Sequence, residues 1–434
     1  MRELDQAKGV ESTFEALRRP GEPAVLFDGR GDHDGAWGCR LALEPRVVFE
    51  ARERVADPAR ALKPIDELVA RRRLAGGPGG TGLAVLCTYE AFSPNARRTP
   101  GACDVLAFAV DAAVTFPLEG FPLATGRRDL VERAAATLER RGPVTGARPG
   151  TALASGPPRT SLGREAYLRA VSRVKAHIAR GDVYQANLTQ RFEAPFEADP
   201  WALYRFIANS TPAPRSAYIE APGLALVSVS PEIFIDVDRS GAAETRPIKG
   251  TRPRGATPEA DALAASELLA SAKDRAELVM IVDVLRNDLG RIARTGSVAV
   301  PELLALRSFA AVHHLVARVV ATLRDDVTPS ALLAAVFPGG SVTGAPKERA
   351  IEILRELEPC PRGLYTGSLF WFDDNGGMAS SILIRSAIVT AGQVHIGAGG
   401  GVVADSDPEA EWSEANAKAR ALTRALGFDP EEAA

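Results

Sequence analysis

The chain has 434 residues, 46% of them hydrophobic and 25% charged, which is enough for one large or two ordinary globular domains and excludes a disordered or fibrous chain. A formal net charge of -3, with no long basic run, gives no electrostatic reason to expect nucleic acid or a membrane surface as partner; a small anionic metabolite fits better. Cys39, Cys87, Cys103 and Cys360 are scattered without a C-x-x-C pair, so neither a zinc site nor a disulfide framework is suggested, and reduced cytosolic thiols are the default.

At the N-terminus, Arg2, Glu3, Asp5, Lys8 and Glu11 stand where a secretory signal needs an apolar core, and no run of about 18 apolar residues occurs, so a cytoplasmic location is expected. Short, apolar, turn-bounded segments at Ala24–Asp28, Trp37–Leu43, Arg46–Glu50 and Thr81–Tyr89 predict strands, and Asp129–Arg140 predicts a helix. The Gly, Pro, Ala and Thr of Gly142–Pro158 mark a linker, over 143–160, between an N-terminal region, 1–142, and a catalytic region, 161–428. Tyr167, Val171, Val174 and Ile178 recur at helical spacing up to Gly181-Asp182. In Val183–Phe192, alternation sends Gln185, Asn187, Thr189 and Arg191 to one face and Tyr184, Ala186, Leu188 and Phe192 to the other, which suggests a lined cavity. Further strands are predicted at Leu224–Val229, Gly367–Phe372, Ser380–Val389 and Gln393–Ile396. Such a mixture is neither regular βαβ nor all-β and points to α+β, with antiparallel sheets carrying helices on their outer faces.

Two helices carry acids at matching intervals. Asp274 and Glu277 lie three apart beside a core stripe of Leu278, Ile281, Val282, Leu285 and Leu289. In the last helix, capped by Ser406 or Asp407 with Pro408 at its first position, Glu411, Glu414 and Lys418 share a stripe. Oxygen-rich ligation of this kind suits Mg²⁺, which takes one or two carboxylates and keeps several waters; either pair alone reads better as a solvated helix face. Phe337–Lys347 is rich in glycine and runs into a helix, a place where backbone N–H groups bind anions, but it is no Walker A loop because Ala345-Pro346 follows the second glycine.

Residues 247–255, P-I-K-G-T-R-P-R-G, resemble the P-I-x-G-T-R-x-R-G loop of the chorismate-utilising enzymes, which include anthranilate synthase component I, aminodeoxychorismate synthase component I, isochorismate synthase and salicylate synthase. Residues 283–291, D-V-L-R-N-D-L-G-R, residues 337–347, F-P-G-G-S-V-T-G-A-P-K, and the run Gly397–Gly401 before Asp405-Ser406 are similar to further signatures of that family, in the family's order. The resemblance covers about Ser161 to Leu426 and, weakly, the N-terminal part. It implies a large antiparallel β-sandwich with helices on its outer faces.

By the same resemblance, Glu277 and Glu414 would bind Mg²⁺ directly and Asp274 and Glu411 through water, with Leu278 departing from the family's usual histidine. Thr251, Gly344, Tyr365, Arg385, Gly399, Gly400, Gly401 and Lys418 would bind chorismate, with Tyr365, Arg385 and Lys418 holding its two carboxylates. Glu232 would protonate the departing C4 hydroxyl near His314, while His313 reads as a core histidine. Gln185, where the water-adding members have lysine, disfavours hydration. Lys249 stands where most members have alanine, and lysine there implies the aminodeoxychorismate branch, in which its amine attacks the chorismate ring and ammonia then enters at C4, on the way to 4-aminobenzoate and folate. No cysteine has the G-x-C-x-G setting of a glutaminase, so a separate glutaminase subunit is expected as partner, and no fused lyase region is expected after Lys418. Two alternatives stay open: anthranilate synthase component I, opposed by Lys249, and a catalytically silent scaffold for a glutaminase.

Overall fold

The computed structural model describes residues 2–3, 9–29, 37–51, 62–77, 79–92, 103–117, 121–140, 152–309 and 312–433. Ala24–Asp28, Gly82–Cys87 and Val105–Val110 are strands whose every residue is buried, which is why they read as unbroken apolar runs with no alternation. Among the described residues the strands form two antiparallel sheets, one of 12 strands and one of 10. Strands from both ends of the chain complete each sheet. Ala24–Asp28 pairs with Arg215–Ala221, placing Leu26 opposite Tyr218, and Gly82–Cys87 pairs with Ser368–Asp373, placing Leu83 opposite Phe372.

Apolar packing follows this layering. Phe27, Ile219 and Leu226 of the larger sheet meet Leu86, Phe108 and Trp371 of the smaller one in a shared interior. Helices cover the outer faces, through Phe14, Trp201 and Leu422 on one side and Leu278, Ile281 and Leu333 on the other. Cutting one such fully buried leucine, Leu226 for example, back to alanine removes about 2–5 kcal/mol. The α+β sandwich expected from the sequence is the fold found.

The two acid-bearing helices are Ala272–Gly290 and Pro408–Leu426. Ser271 caps the first by accepting from the Asp274 N–H at 3.3 Å, and all five residues of the predicted apolar stripe are buried. Asp407 caps the second, accepting from the Ala410 N–H at 2.9 Å. Ser406 is not the cap; its hydroxyl donates to Glu411 at 2.6 Å and accepts from the Val403 N–H.

Two local expectations need correction, and a third falls partly outside the described residues. The strand predicted at Val183–Phe192 runs over Gln185–Pro195, and Tyr184, grouped with the apolar face of Ala186, Leu188 and Phe192, is 72% exposed because it precedes the paired segment. The single strand predicted at Ser380–Val389 is two: Met378–Ile382 belongs to the smaller sheet and Ser386–Thr390 to the larger. Between them the chain turns through Arg385 at φ 49°, the left-handed region that non-glycine residues rarely adopt. Finally, part of the predicted linker, residues 143–151, lies outside the described residues. Its remainder is laid along the body: Leu153 and Ala154 donate to the carbonyls of Ala425 and Leu426, and Ser155 donates to that of Pro195.

Candidate active site

The corner at Arg385, the strand Ile248–Pro253, the strand Gln393–Val402 and the two acid-bearing helices enclose a cavity of about 570 Å³. That volume suits a small metabolite. Lys249, Glu232, Thr251 and His314 all lie on its wall.

Ser341 joins the two groups expected to act on the ring. Its carbonyl accepts from Lys249 Nζ at 3.3 Å and its hydroxyl donates to Glu232 Oε1 at 2.6 Å. Burial pushes the Lys249 amine below the ordinary lysine range against the pull of Glu277 and Glu232. Burial likewise pushes the Glu232 carboxyl up, opposed by the Ser341 hydrogen bond and by Lys249. Desolvation therefore favours the neutral amine and the protonated acid together. His314 Nδ1 is hydrogen-bonded to Thr251 Oγ1 at 2.9 Å, and burial lowers its pKa to about 4, so the ring is neutral at pH 7. His313 points the other way, buried between Ser308 and Asp261 at 2.8 and 2.9 Å, as a core histidine does.

The carboxylates of the two helices face one another across Lys273. Its Nζ is 3.9 Å from Glu277 and 3.4 Å from Glu411, while Lys418 sits 2.7 Å from Glu414. Burial raises the Glu277 carboxyl despite Lys249 and Lys273. For Glu414 burial acts upward too, but Lys418, Lys273 and Lys249 bring it below the ordinary range. Asp274 turns instead to Arg252 at 3.2 Å. Among the described residues no three His, Cys, Asp or Glu side chains are grouped closely enough to cage a metal. The donor set is oxygen-only and open, with Glu277 and Glu414 on the wall and Glu411 buried behind it, which fits an ion that shares its shell with water and substrate oxygens.

Glycines in the strand Gln393–Val402 are demanded by close approach. A Cβ on Gly397 would lie 2.1 Å from the Tyr365 ring, and one on Gly401 would lie 2.0 Å from Gln185 Nε2. Gly399, Gly400 and Gly401 reach the cavity wall beside Lys418, as do Tyr365 and Arg385. The Arg385 side chain makes no ion pair or hydrogen bond with the described residues, and burial alone lowers its pKa; an unpaired guanidinium in a cavity is a ready carboxylate site. Three predicted residues stand off the wall: Glu411, buried behind it, Gln185 and Gly344. Gln185 reaches back to Glu277 at 3.5 Å. Gly344, at φ 138°, lets its strand approach the Gln185 carbonyl, which a Cβ would meet at 2.3 Å. The sequence reading did not single out Lys273, Arg252, Ser341 or Thr366 as site residues, and all four line the cavity. Arg252 and Ser341 stand inside the motifs at 247–255 and 337–347 and Lys273 adjoins the acid pair, so only Thr366 left no signal in the sequence.

The family model described as chorismate binding enzyme matches residues 24–424. Curated relatives include an aminodeoxychorismate synthase component 1 of Klebsiella aerogenes, 48% identical over 59% of this chain and 56% of the relative. An anthranilate synthase component 1 of Geobacillus stearothermophilus is 46% identical over 61% of this chain and 52% of the relative. The chain thus spans about half the length of the curated relatives it matches. Anthranilate synthase component I of Streptococcus pneumoniae has the same fold, with a TM-score of 0.73 at 25% identity, over 94% of this chain and 93% of that one. No helix among the described residues is long and apolar enough to cross a membrane.

Proposed function

The chain belongs to the chorismate-binding enzyme family, and from that premise we propose that it is an Mg²⁺-dependent aminase of chorismate, making 4-amino-4-deoxychorismate for 4-aminobenzoate synthesis. The observation that carries this reading is Lys249, a lysine of depressed pKa on the cavity wall, joined through Ser341 to a carboxyl of raised pKa.

Arg385, Lys418 and the amides of Gly399–Gly401 orient the two carboxylates of chorismate. Neutral Lys249 attacks C2, the ring double bonds shift, and the C4 hydroxyl leaves as water with the proton of Glu232. Ammonia then adds at C4, the double bonds shift back, and Lys249 is expelled as its neutral amine. His314, neutral and tied to Thr251, stands by as a hydrogen-bonding group for the leaving oxygen. Bound at Glu277 and Glu414, with Asp274 and Glu411 in support through water, Mg²⁺ would neutralise a substrate carboxylate and draw charge from the ring. Ammonia would come from a separate glutaminase, in keeping with the component 1 names of the relatives.

Product identity after incubation with chorismate, Mg²⁺ and ammonium salt tests this reading. Amination with the enolpyruvyl group retained is expected, together with a Lys249 adduct in mass spectra when ammonia is withheld. Anthranilate and pyruvate, with no adduct, would establish the second reading, which the 46% identity to an anthranilate synthase component 1 keeps in view.

A further inference from the structure

Behind the cavity wall, Arg362 uses every N–H its guanidinium has. Nε and Nη2 donate to the two oxygens of Glu358 at 2.9 and 2.7 Å. Nη2 also donates to the Asn187 carbonyl at 2.6 Å, and Nη1 donates to the Val342 carbonyl at 2.8 Å and to Thr366 Oγ1 at 3.4 Å. The plane lies 4.4 Å from the ring centre of Tyr89. Glu358 in turn accepts from both the N–H and the hydroxyl of Thr189, each at 2.9 Å. The Arg362 and Gly363 N–H groups are held by Glu90 at 2.7 and 3.0 Å. Arg362, Glu358 and Glu90 are buried, and none of them lines the cavity.

What they hold does line it: Asn187, Thr189, Val342 and Thr366 come from three separate segments of the wall. Val342 directly follows Ser341, whose carbonyl and hydroxyl engage Lys249 and Glu232. We propose that Arg362 is a positioning residue which, by fixing the Val342 carbonyl against Asn187 and Thr366, sets Ser341 and through it the relative placement of Lys249 and Glu232. The proposal rests on the amination reading for what those two groups do, and on the hydrogen-bond geometry for how they are placed. With all five donors engaged, Arg362 has none left for a ligand. A lysine there keeps the charge but has only three donors on a flexible stem and cannot reproduce the planar fork.

Arg362→Lys is the test, read in two ways. In the chorismate and ammonium assay, kcat should fall roughly 10- to 100-fold, the scale of a misplacement near 1 Å, with a smaller change in KM and a displaced pH profile. Independently of any turnover, the pH dependence of Lys249 acylation by acetic anhydride, followed by peptide mass spectrometry, should move, because the amine loses its fixed surroundings. If Arg362→Lys does not fold, the double variant Arg362→Met/Glu358→Gln removes the two charges of that pair together; it is read by the same two measures. A folded variant with wild-type kcat and wild-type Lys249 acylation overturns the proposal, whichever product forms. Anthranilate as the wild-type product would instead overturn the amination reading and leave the acylation comparison standing.

Discussion

Arg385 offers a test in which function and stability should move in opposite directions. Its guanidinium sits on the cavity wall, and burial alone depresses its pKa with no carboxylate among its causes. Arg385→Met keeps a long unbranched side chain at a backbone position with φ 49°, so the turn itself carries no new strain. Because no protein carboxylate is left unpaired, the substitution should read the interaction with ligand alone. Charge-assisted hydrogen bonds contribute about 1.5–3 kcal/mol each. Losing one or two of them to a substrate carboxylate should therefore weaken chorismate binding by on the order of 10- to 100-fold or more, at about 1.4 kcal/mol per tenfold. Unfolding free energy should stay level or rise, since removing an unpaired, partly desolvated charge relieves a penalty. Titration calorimetry with chorismate and Mg²⁺ in the absence of ammonia, paired with urea denaturation of the free protein, measures both quantities. Unchanged affinity, or a loss of stability beyond about 1 kcal/mol, would refute the reasoning, the latter by showing that Arg385 is bound to the fold.

Glu277→Gln and Glu414→Gln should each abolish Mg²⁺-dependent turnover while leaving the thermal transition in place, and near-normal activity at limiting Mg²⁺ would remove the two-helix metal site. Gly397→Ala, with its Cβ 2.1 Å from the Tyr365 ring, should displace that ring and raise KM for chorismate far more than it lowers the melting temperature. Burial raises the Glu90 carboxyl from 4.5 to about 7, so its contribution to stability is complete below about pH 4.5 and is lost as pH rises through 7. At about 1.36 kcal/mol per unit that interval is on the order of 3 kcal/mol. Glu90→Gln should accordingly flatten the fall in stability between pH 4.5 and 7, measured as the difference in urea unfolding curves from wild type, and parallel curves would show that Glu90 does not titrate there.

Local spacing alone was enough for the sequence to determine the α+β class, the apolar stripe of Leu278, Ile281, Val282, Leu285 and Leu289, and the close-approach role of the glycine run Gly397–Gly401, because helix periodicity and glycine's tolerance of close approach are properties of a few consecutive residues; the strand predicted to end at Ile396 continues through that run to Val402. Its motifs also marked Lys249, Glu232, His314, Tyr365 and Arg385, all of which the fold gathers on one cavity. Tertiary structure decided what no local pattern encodes. The split of Ser380–Val389 between two sheets follows from pairing with distant parts of the chain, Ile388 with Leu226 in the larger sheet and Ser381 with Ile233 beside the smaller one. Lys273 becomes the counter-charge between Glu277 and Glu411 only because the two helices converge, bringing together Lys273 and Glu411, 138 residues apart. Gln185 and Gly344 stand behind the wall because strand pairing, at Gln185 opposite Ala345 and Ala186 opposite Gly344, draws their backbones together. Arg362 is invisible to the sequence for the same reason: its partners Asn187, Val342 and Glu90 lie 175, 20 and 272 residues away along the chain, and only burial makes a guanidinium satisfy all of its donors from the protein itself.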